Sequence, residues 1–355
     1  MSAPSPTSTH QDVQDYYGRV LSNQGDLKTD ACCSTDAMPS HLRQIASQIA
    51  PEVIEKFYGC GSPIPPAIEG CTVLDLGCGT GRDAFLCAKL VGPNGRVIGV
   101  DMTDEQLAAA RRHESEMAAR FGFSQPNTRF VQGYMEDLAA AGVADESVDV
   151  VISNCVINLA PDKERVFREI LRVLKPGGEI LFSDIFADRR LPAHLREDPV
   201  LLGECLAGAM YSEDFRRLLA KLGVPDSRVL TSRPVAIDNQ EVEDRIGMAK
   251  FRSVTVRAFK LASLEDRCED WGQSATYLGT VPGARHRFAL DDHHLFETGR
   301  PMLVCGNSAA MVSETRFAPH FRVTGSRKVH FGLFPCGPAP AAGEDAADRG
   351  GGGCC

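Results

Sequence analysis

From Thr72 onward, short runs of Val, Ile and Leu alternate with stretches whose apolar residues recur every three or four positions. TVLDL at 72–76 precedes a helical stretch from Arg82, and RVIGVD at 96–101 precedes one from Thr103. TRFVQG at 128–133, VDVVISN at 148–154, a helix from Lys163 and EILFSDIF at 179–186 complete the series. Strands buried on both sides read as continuous apolar runs and their crossovers as amphipathic helices, so the pattern predicts a doubly wound α/β domain with helices on both faces of a parallel sheet. Ahead of it, Leu42, Ile45, Ile49, Val53 and Phe57 keep helical spacing, which Pro51 divides into two helices. Residues 187–210 read as a mostly helical insertion, Ser212 to Leu222 as a helix, and VLTSRPVAI at 229–237 as edge strand.

After about residue 250 the period falls to two, in SVTVRAFKL, SATYLGTV and RHRFAL, with Gly and Pro between them. These are antiparallel strands by pattern, and they predict a smaller β-rich C-terminal domain. The expected divisions are 1–40, 41–240, 241–336 and a Gly-rich 337–355 that ends Cys-Cys. No internal repeat of solenoid type is present.

Composition narrows the partners. Among 355 residues, Lys and Arg number 38 against 47 Asp and Glu, a net charge of −9, so no global positive field gathers nucleic acid or anionic lipid. The opening MSAPSPTSTHQDVQDYYG lacks the basic and apolar blocks of a signal peptide, and no stretch approaches the roughly 18 apolar residues of a membrane span. A cytoplasmic protein is expected, with monomer as the default state. Thirteen cysteines cannot all pair within the chain. With no Cys-x-x-Cys and no His-x₃-His set among the nine histidines, a zinc ribbon or finger is disfavoured.

The segment VLDLGCGTGRDA puts Gly77, Gly79 and Gly81 between the first strand and a helix, where glycine lets backbone N–H groups approach a ligand. Asp101 ends the second strand 20 residues after Gly81, placed to accept hydrogen bonds from a ribose diol, with Met102 beside it. The spacing is G-x-G-x-G with Asp75 inside it, which differs from the G-x-G-x-x-G of dinucleotide folds. Asp75 suits an ammonium group, so S-adenosylmethionine, with its amino-acid end and free ribose, is the expected ligand. The loop resembles that of class I S-adenosylmethionine-dependent methyltransferases, which have a Rossmann-like sheet. That resemblance assigns Asp75, Gly77, Cys78, Gly79, Gly81, Asp101 and Met102 to the cofactor, with Met135 and Glu136 of GYMEDL near adenine. KPGGEILFSD at 175–184 resembles the turn into that family's fifth strand.

Acceptors of oxygen or nitrogen type call for a general base, and no His, Lys or Asp stands out near the loop. At the carboxyl end of the fourth strand, where open α/β sheets bind ligands, SNCVINL instead places Cys155. Cys60 in FYGCG and Cys205 in GECL flank the same sheet end. Taken singly, each is as easily a small buried hydrophobe.

Together, YYGRVL, DLKTDACCST, FYGCGSPIP, VLDLGCGTGRD, VIGVDMT, SNCVINL and GECL resemble, in order and spacing, the arsenite methyltransferases. The resemblance spans about residues 12 to 325 and identifies residues 41–240 as the methyltransferase domain with an arsenite-binding insertion. It implies four active cysteines, Cys32, Cys60, Cys155 and Cys205, with Cys32 favoured over Cys33 by DLKTDAC. It implies that Cys60, Cys155 and Cys205 hold As(III), and that Cys32 forms a disulfide with Cys60 which glutathione or thioredoxin reduces. Arsenite and methylated arsenicals are then substrate and products. Trivalent arsenic is thiophilic, so cysteine sulfurs select it, and its outward lone pair takes the methyl group without a general base.

Tyr58, beside Cys60, is expected to pack on the cofactor sulfonium, and Asn154 to offer it a polar contact. Glu204 either orients a ligand or faces solvent. Cys71, Cys78, Cys87, Cys268, Cys305 and Cys336 are read as packing residues, and the terminal Cys354-Cys355 as dispensable. The competing readings are a methyltransferase of a small organic molecule, such as a quinone or sterol precursor, and an arsenite-binding protein without turnover.

Overall fold

Strands β1 (Thr72–Leu76), β2 (Arg96–Asp101), β3 (Thr128–Gln132), β4 (Val148–Asn154) and β5 (Leu174–Ala187) lie side by side in a computed structural model that describes residues 38–57, 59–198, 201–202 and 204–336. They are parallel, in the order β3-β2-β1-β4-β5. β8 (Phe251–Phe259) pairs antiparallel with β5, and β7 (Ser227–Pro234) closes the edge antiparallel to β8. A short β6 (Met210–Tyr211) joins β5 at Phe186 and Ala187, beyond the last β4 partner at Ser183.

Successive residues of β1 point to opposite faces, as a strand requires. Leu74 and Leu76 pack with Val166, Phe167 and Ile170 of α5 (Lys163–Val173) and with Phe215 and Leu219 of α6 (Ser212–Lys221). Val73 packs on the other side with Ala84, Phe85 and Ala88 of α3 (Arg82–Val91) and with Leu107 and Ala110 of α4 (Asp104–Phe121). Two short helices, α1 (Ser40–Ala46) and α2 (Pro51–Glu55), precede the sheet, with Pro51 at the start of the second, where its missing N–H costs nothing. A further helix, α7 (Gln240–Ile246), lies between β7 and β8.

The chain runs from β1 outward to β2 and β3, then returns to β4 on the other side of β1. That reversal opens a crevice at the carboxyl ends of β1 and β4, where such folds bind ligands.

The strand expected to open the C-terminal domain, Phe251–Phe259, lies in the central sheet instead. Its apolar residues are buried on both faces of a mixed sheet, and alternation alone does not say which sheet a strand joins. The separate β-rich unit follows it: β9 (Gln273–Tyr277) between β12 (Pro301–Val304) and β13 (Phe321–Thr324), and a hairpin of β10 (Arg287–Ala289) with β11 (Leu295–Glu297). Its core gathers Tyr277, Phe288, Phe296, Phe317 and Phe321. It also contains α8 (Gly306–Ser313), which periodicity misses because GNSAAMVS is buried nearly all round and shows no polar stripe. Glu179 of β5 and Arg257 of β8, both fully buried, form an ion pair that Arg316 joins, which ties this unit to the central sheet.

Candidate functional site: a nucleoside cleft faced by thiols

The cleft at the switch point encloses about 1010 Å³ of empty volume, part of it open to solvent. Its floor is the loop after β1. Gly77 has φ +65, and a Cβ there would meet the Val156 side chain at 2.4 Å. Gly79 has φ +52, and its Cβ would meet only Gln106 Oε1 at 4.0 Å, so its backbone faces open cleft. Asp101, at the end of β2, accepts from Gly79 N at 2.9 Å and from Thr103 N at 2.8 Å. The carboxylate therefore braces the loop and still lines the cleft. Burial raises its pKa, opposed by those two N–H donors.

Asp75 is buried in β1, and its Oδ2 has no hydrogen-bond partner among the described residues. Its pKa stands well above the ordinary value, through burial first and then through the charges of Asp83 and Asp101. A buried, partnerless carboxyl oxygen in a ligand cleft fits an incoming cationic group. Gly133, Tyr134, Met135 and Glu136 line the adjacent wall beyond β3, and Met102 lies between the two walls. Tyr58, Cys32, Cys33, Cys354 and Cys355 lie outside the described residues. The donors therefore suit S-adenosylmethionine: Asp75 for the ammonium, Asp101 for the ribose and the 133–136 segment for the base.

Asn154 lines the cleft, yet its amide is committed to protein. Its Oδ1 accepts from Cys60 N at 3.0 Å and Gly61 N at 3.3 Å. Its Nδ2 donates to Gly61 O at 3.0 Å and to Asp83 Oδ2 at 2.8 Å. It thus fastens the Cys60 loop to α3. Ser253 Oγ donates to Cys60 O at 2.6 Å from β8 and fixes the loop from the other side.

The result is a meeting of thiols that are 95 residues apart in sequence (155 − 60): the Cys60 and Cys155 sulfurs and a carboxylate oxygen of Asp184 all lie within 4.8 Å of one another. Cys205 is fully buried beside them, and its Sγ donates to the Cys155 carbonyl at 3.2 Å. Cys155 and Cys205 both hold left-handed backbone, φ 62 and φ 61, a conformation that costs a side-chain-bearing residue on the order of 1–3 kcal/mol and clusters at functional sites. Cys155 lines the cleft directly. Burial raises the Cys60 pKa; a hydrogen bond from Cys155 opposes this, and the charges of Asp184 and Cys205 add to it.

Asp184 was not singled out by sequence, although a lone acid inside the apolar run LFSDIF is itself a signal, since such residues are seldom buried without purpose. It accepts from Asn158 N at 3.0 Å and Ile185 N at 2.8 Å. Burial, with the Cys205 charge second, pushes its pKa well above the usual range. Lys163, nearby, is pushed down to about 8, by burial first and then by Arg196. Glu204 is fully buried, which removes the solvent-facing alternative. Cys78 and Cys87 pack in the core and Cys71 against it. Cys268, Cys305 and Cys336 depart from the packing expectation: their sulfurs converge within 4.8 Å of one another, outside the cleft.

A strand-loop-helix cradle at the switch point, with an acid closing the second strand, defines a methyltransferase of the S-adenosylmethionine-dependent type. The family described as "Methyltransferase domain" accordingly matches residues 68–223. The chain is 51% identical over 98% of its length to the whole of an arsenite methyltransferase from Aquipseudomonas alcaligenes. It is 40% identical over 89% of its length to 83% of the arsenite methyltransferase of Mus musculus. An arsenic(III) S-adenosylmethionine methyltransferase from Chlamydomonas reinhardtii, solved by X-ray crystallography, superposes with a TM-score of 0.81 at 53% identity, covering 84% of this chain and all of that one. The chain belongs to the arsenite methyltransferase family.

Proposed function

We propose that the protein methylates trivalent arsenic, with Cys60, Cys155 and Cys205 as the substrate's ligands. The observation that carries this reading is the convergence of two thiols, with a third alongside, at the cleft wall formed by the carboxyl end of β4. S-adenosylmethionine, when bound, supplies an electrophilic methyl carbon, and the lone pair of thiolate-held As(III) is the nucleophile that takes it.

The chain's own work is capture and placement. Three thiols exchange with three hydroxyls of arsenite and release three waters, so the thiol protons leave as water and no base is consumed. Cys155 stands on the cleft wall. Cys60 is held by Asn154 and Ser253, and Cys205 exchanges its bond to the Cys155 carbonyl for one to arsenic. Fixed placement of this kind contributes up to about 7–11 kcal/mol, far above the few of acid–base assistance. Asp75 and Asp101 hold the two polar ends of the cofactor.

Each transfer formally oxidises As(III) to As(V), so another round requires two electrons. Attack of the Cys32 thiolate on the Cys60 sulfur supplies them: the S–S bond forms, the As–S bond to Cys60 breaks and its electron pair returns to arsenic as As(III), and glutathione or thioredoxin, as found in a reducing cytoplasm, restores the two thiols. Mono- and dimethylated arsenicals are the products of one and two rounds. Among the described residues no helix is long and apolar enough to cross a membrane.

Purified protein given methyl-labelled S-adenosylmethionine, arsenite and glutathione is expected to place label on arsenic, read by chromatography coupled to elemental detection. Label that remains on the donor or on protein overturns the proposal.

A further inference from the structure

The second thiol cluster lies in the C-terminal unit. Cys305 is fully buried at the N-terminus of α8, where its Sγ accepts from Ser308 N at 3.4 Å. Cys268 is buried, and Cys336 is partly exposed. The segment that carries Cys336 lies along the one that carries Cys268: Asp270 N donates to Gly332 O at 2.8 Å, Phe331 N to Asp270 O at 2.8 Å and Phe334 N to Cys268 O at 2.7 Å. All three are thiols, and all three sulfurs lie within 4.8 Å of one another.

We propose that Cys268, Cys305 and Cys336 form a second binding site for trivalent arsenic, separate from the methyl-transfer cleft. None of the three lines that cleft. The inference rests on the reading that arsenite is what this protein handles.

Donor chemistry and charge select the ion. Among the described residues the cluster holds three sulfurs and no carboxylate or imidazole. Zinc takes four ligands, whereas trivalent arsenic is complete with three and a lone pair. Arg228 Nη2 stands 3.9 Å from Cys305 Sγ. Arg228 also pairs with Asp226 at 2.7 Å and Asp291 at 3.2 Å. Three thiolates around a trivalent ion are neutral, whereas around a divalent one they retain a negative charge close to the two acids that pair with Arg228. The step balances as at the cleft: three S–H and three As–OH bonds break, three As–S bonds form and three waters leave, with no oxidant. Cys336, the partly exposed member, gives entry, and the bound ion fastens the 331–336 segment to residues 268–270.

The test uses full-length protein carrying Cys60→Ser, Cys155→Ser and Cys205→Ser, reduced and freed of small thiols. Arsenite is titrated while peptide mass spectrometry follows alkylation of each remaining cysteine. Cys268, Cys305 and Cys336 are expected to be protected in step, about 100-fold at an arsenite concentration 100 times the dissociation constant. The sole tryptophan, Trp271, which packs against Gly306 beside Cys305, is expected to change its emission over the same range. Adding Cys305→Ser should remove the protection of Cys268 and Cys336. If that variant does not fold, Cys336→Ser should do the same for Cys268 and Cys305. Unchanged alkylation of the trio under saturating arsenite overturns the inference, as does protection by zinc where arsenite gives none. In the parent enzyme, arsenic methylation with an unprotected trio sinks this inference alone, and a protected trio without methylation sinks only the catalytic reading.

Discussion

Cys60 and Cys155 meet a carboxylate, Asp184, whereas in the trio of Cys268, Cys305 and Cys336 it is Cys305 that meets a guanidinium, Arg228. The same ligand chemistry therefore sits in opposite fields. Burial together with Asp184 keeps Cys60 protonated, and hydrogen bonding with Arg228 favours the Cys305 thiolate. The difference follows from what lies nearby. A free thiolate facing an activated methyl carbon is itself a nucleophile, so thiols at the cleft are safest when they ionise only as arsenic arrives. The C-terminal trio does not line the cleft, so ionised sulfur carries no such penalty there, and fast capture is the gain.

The strongest way to break this contrast is Cys155→Ser. Losing one sulfur on the cleft wall should reduce arsenite methylation by at least about 100-fold, since removal of even an outer partner of a bound ion costs roughly 10–100-fold. Binding of S-adenosylmethionine, followed calorimetrically, should stay within about twofold, because that loss is not part of the cofactor cradle. Methylation near the parent rate would show that the cleft thiols are not the ligands.

The two clusters also differ in how far the sequence disclosed them. The loop from Asp75 to Gly81 and the acid at Asp101 are legible because their spacing is local and each has a backbone job, seen in Gly79 N bonded to Asp101. The strands and helices up to β5 follow from period alone. Pattern alone places Cys155 at the sheet end, but its partnership with Cys60 is legible only through resemblance, since their meeting depends on Asn154 and Ser253 drawing a distant loop there. The C-terminal trio reads as packing because spacings of 37 and 31 residues carry no motif, and the α8 cap that places Cys305 has no amphipathic pattern.

A smaller effect probes the field around the C-terminal trio. Burial opposes ionisation of Asp291, but the hydrogen bond from His294 and the charges of His294 and Arg228 prevail and lower its pKa to about 2 from 3.8. A depressed folded-state value means that Asp291 contributes its stability above pH 3.8, and that this contribution is lost as pH falls through about 2. The loss amounts to about 2 kcal/mol, because each tenfold change in proton affinity corresponds to roughly 1.4 kcal/mol. Urea unfolding at a series of acid pH values, followed by Trp271 emission, should show the parent losing this increment. Asp291→Asn should be flatter across the same window. Parallel curves for the two would mean that His294 and Arg228 do not hold Asp291 ionised, and this account of the charges beside the trio would fail.

Smallest in expected size is Asp75→Asn, which bears on the cofactor side of the comparison. Asp75 is raised by burial and by two neighbouring acids, and its Oδ2 waits without a partner among the described residues. A bound ammonium group supplies both the missing donor and the opposing charge, and a charge-assisted hydrogen bond contributes about 1.5–3 kcal/mol. Asparagine keeps the shape and loses the charge, so the dissociation constant for S-adenosylmethionine should rise about tenfold, the lower end of that range. Arsenite protection of Cys268, Cys305 and Cys336 should not move, because that trio shares no residue with the cleft. An unchanged cofactor affinity would leave Asp75 as a buried acid kept for the fold. A simultaneous loss of protection at the C-terminal trio would show that the two thiol clusters communicate and do not act as separate sites.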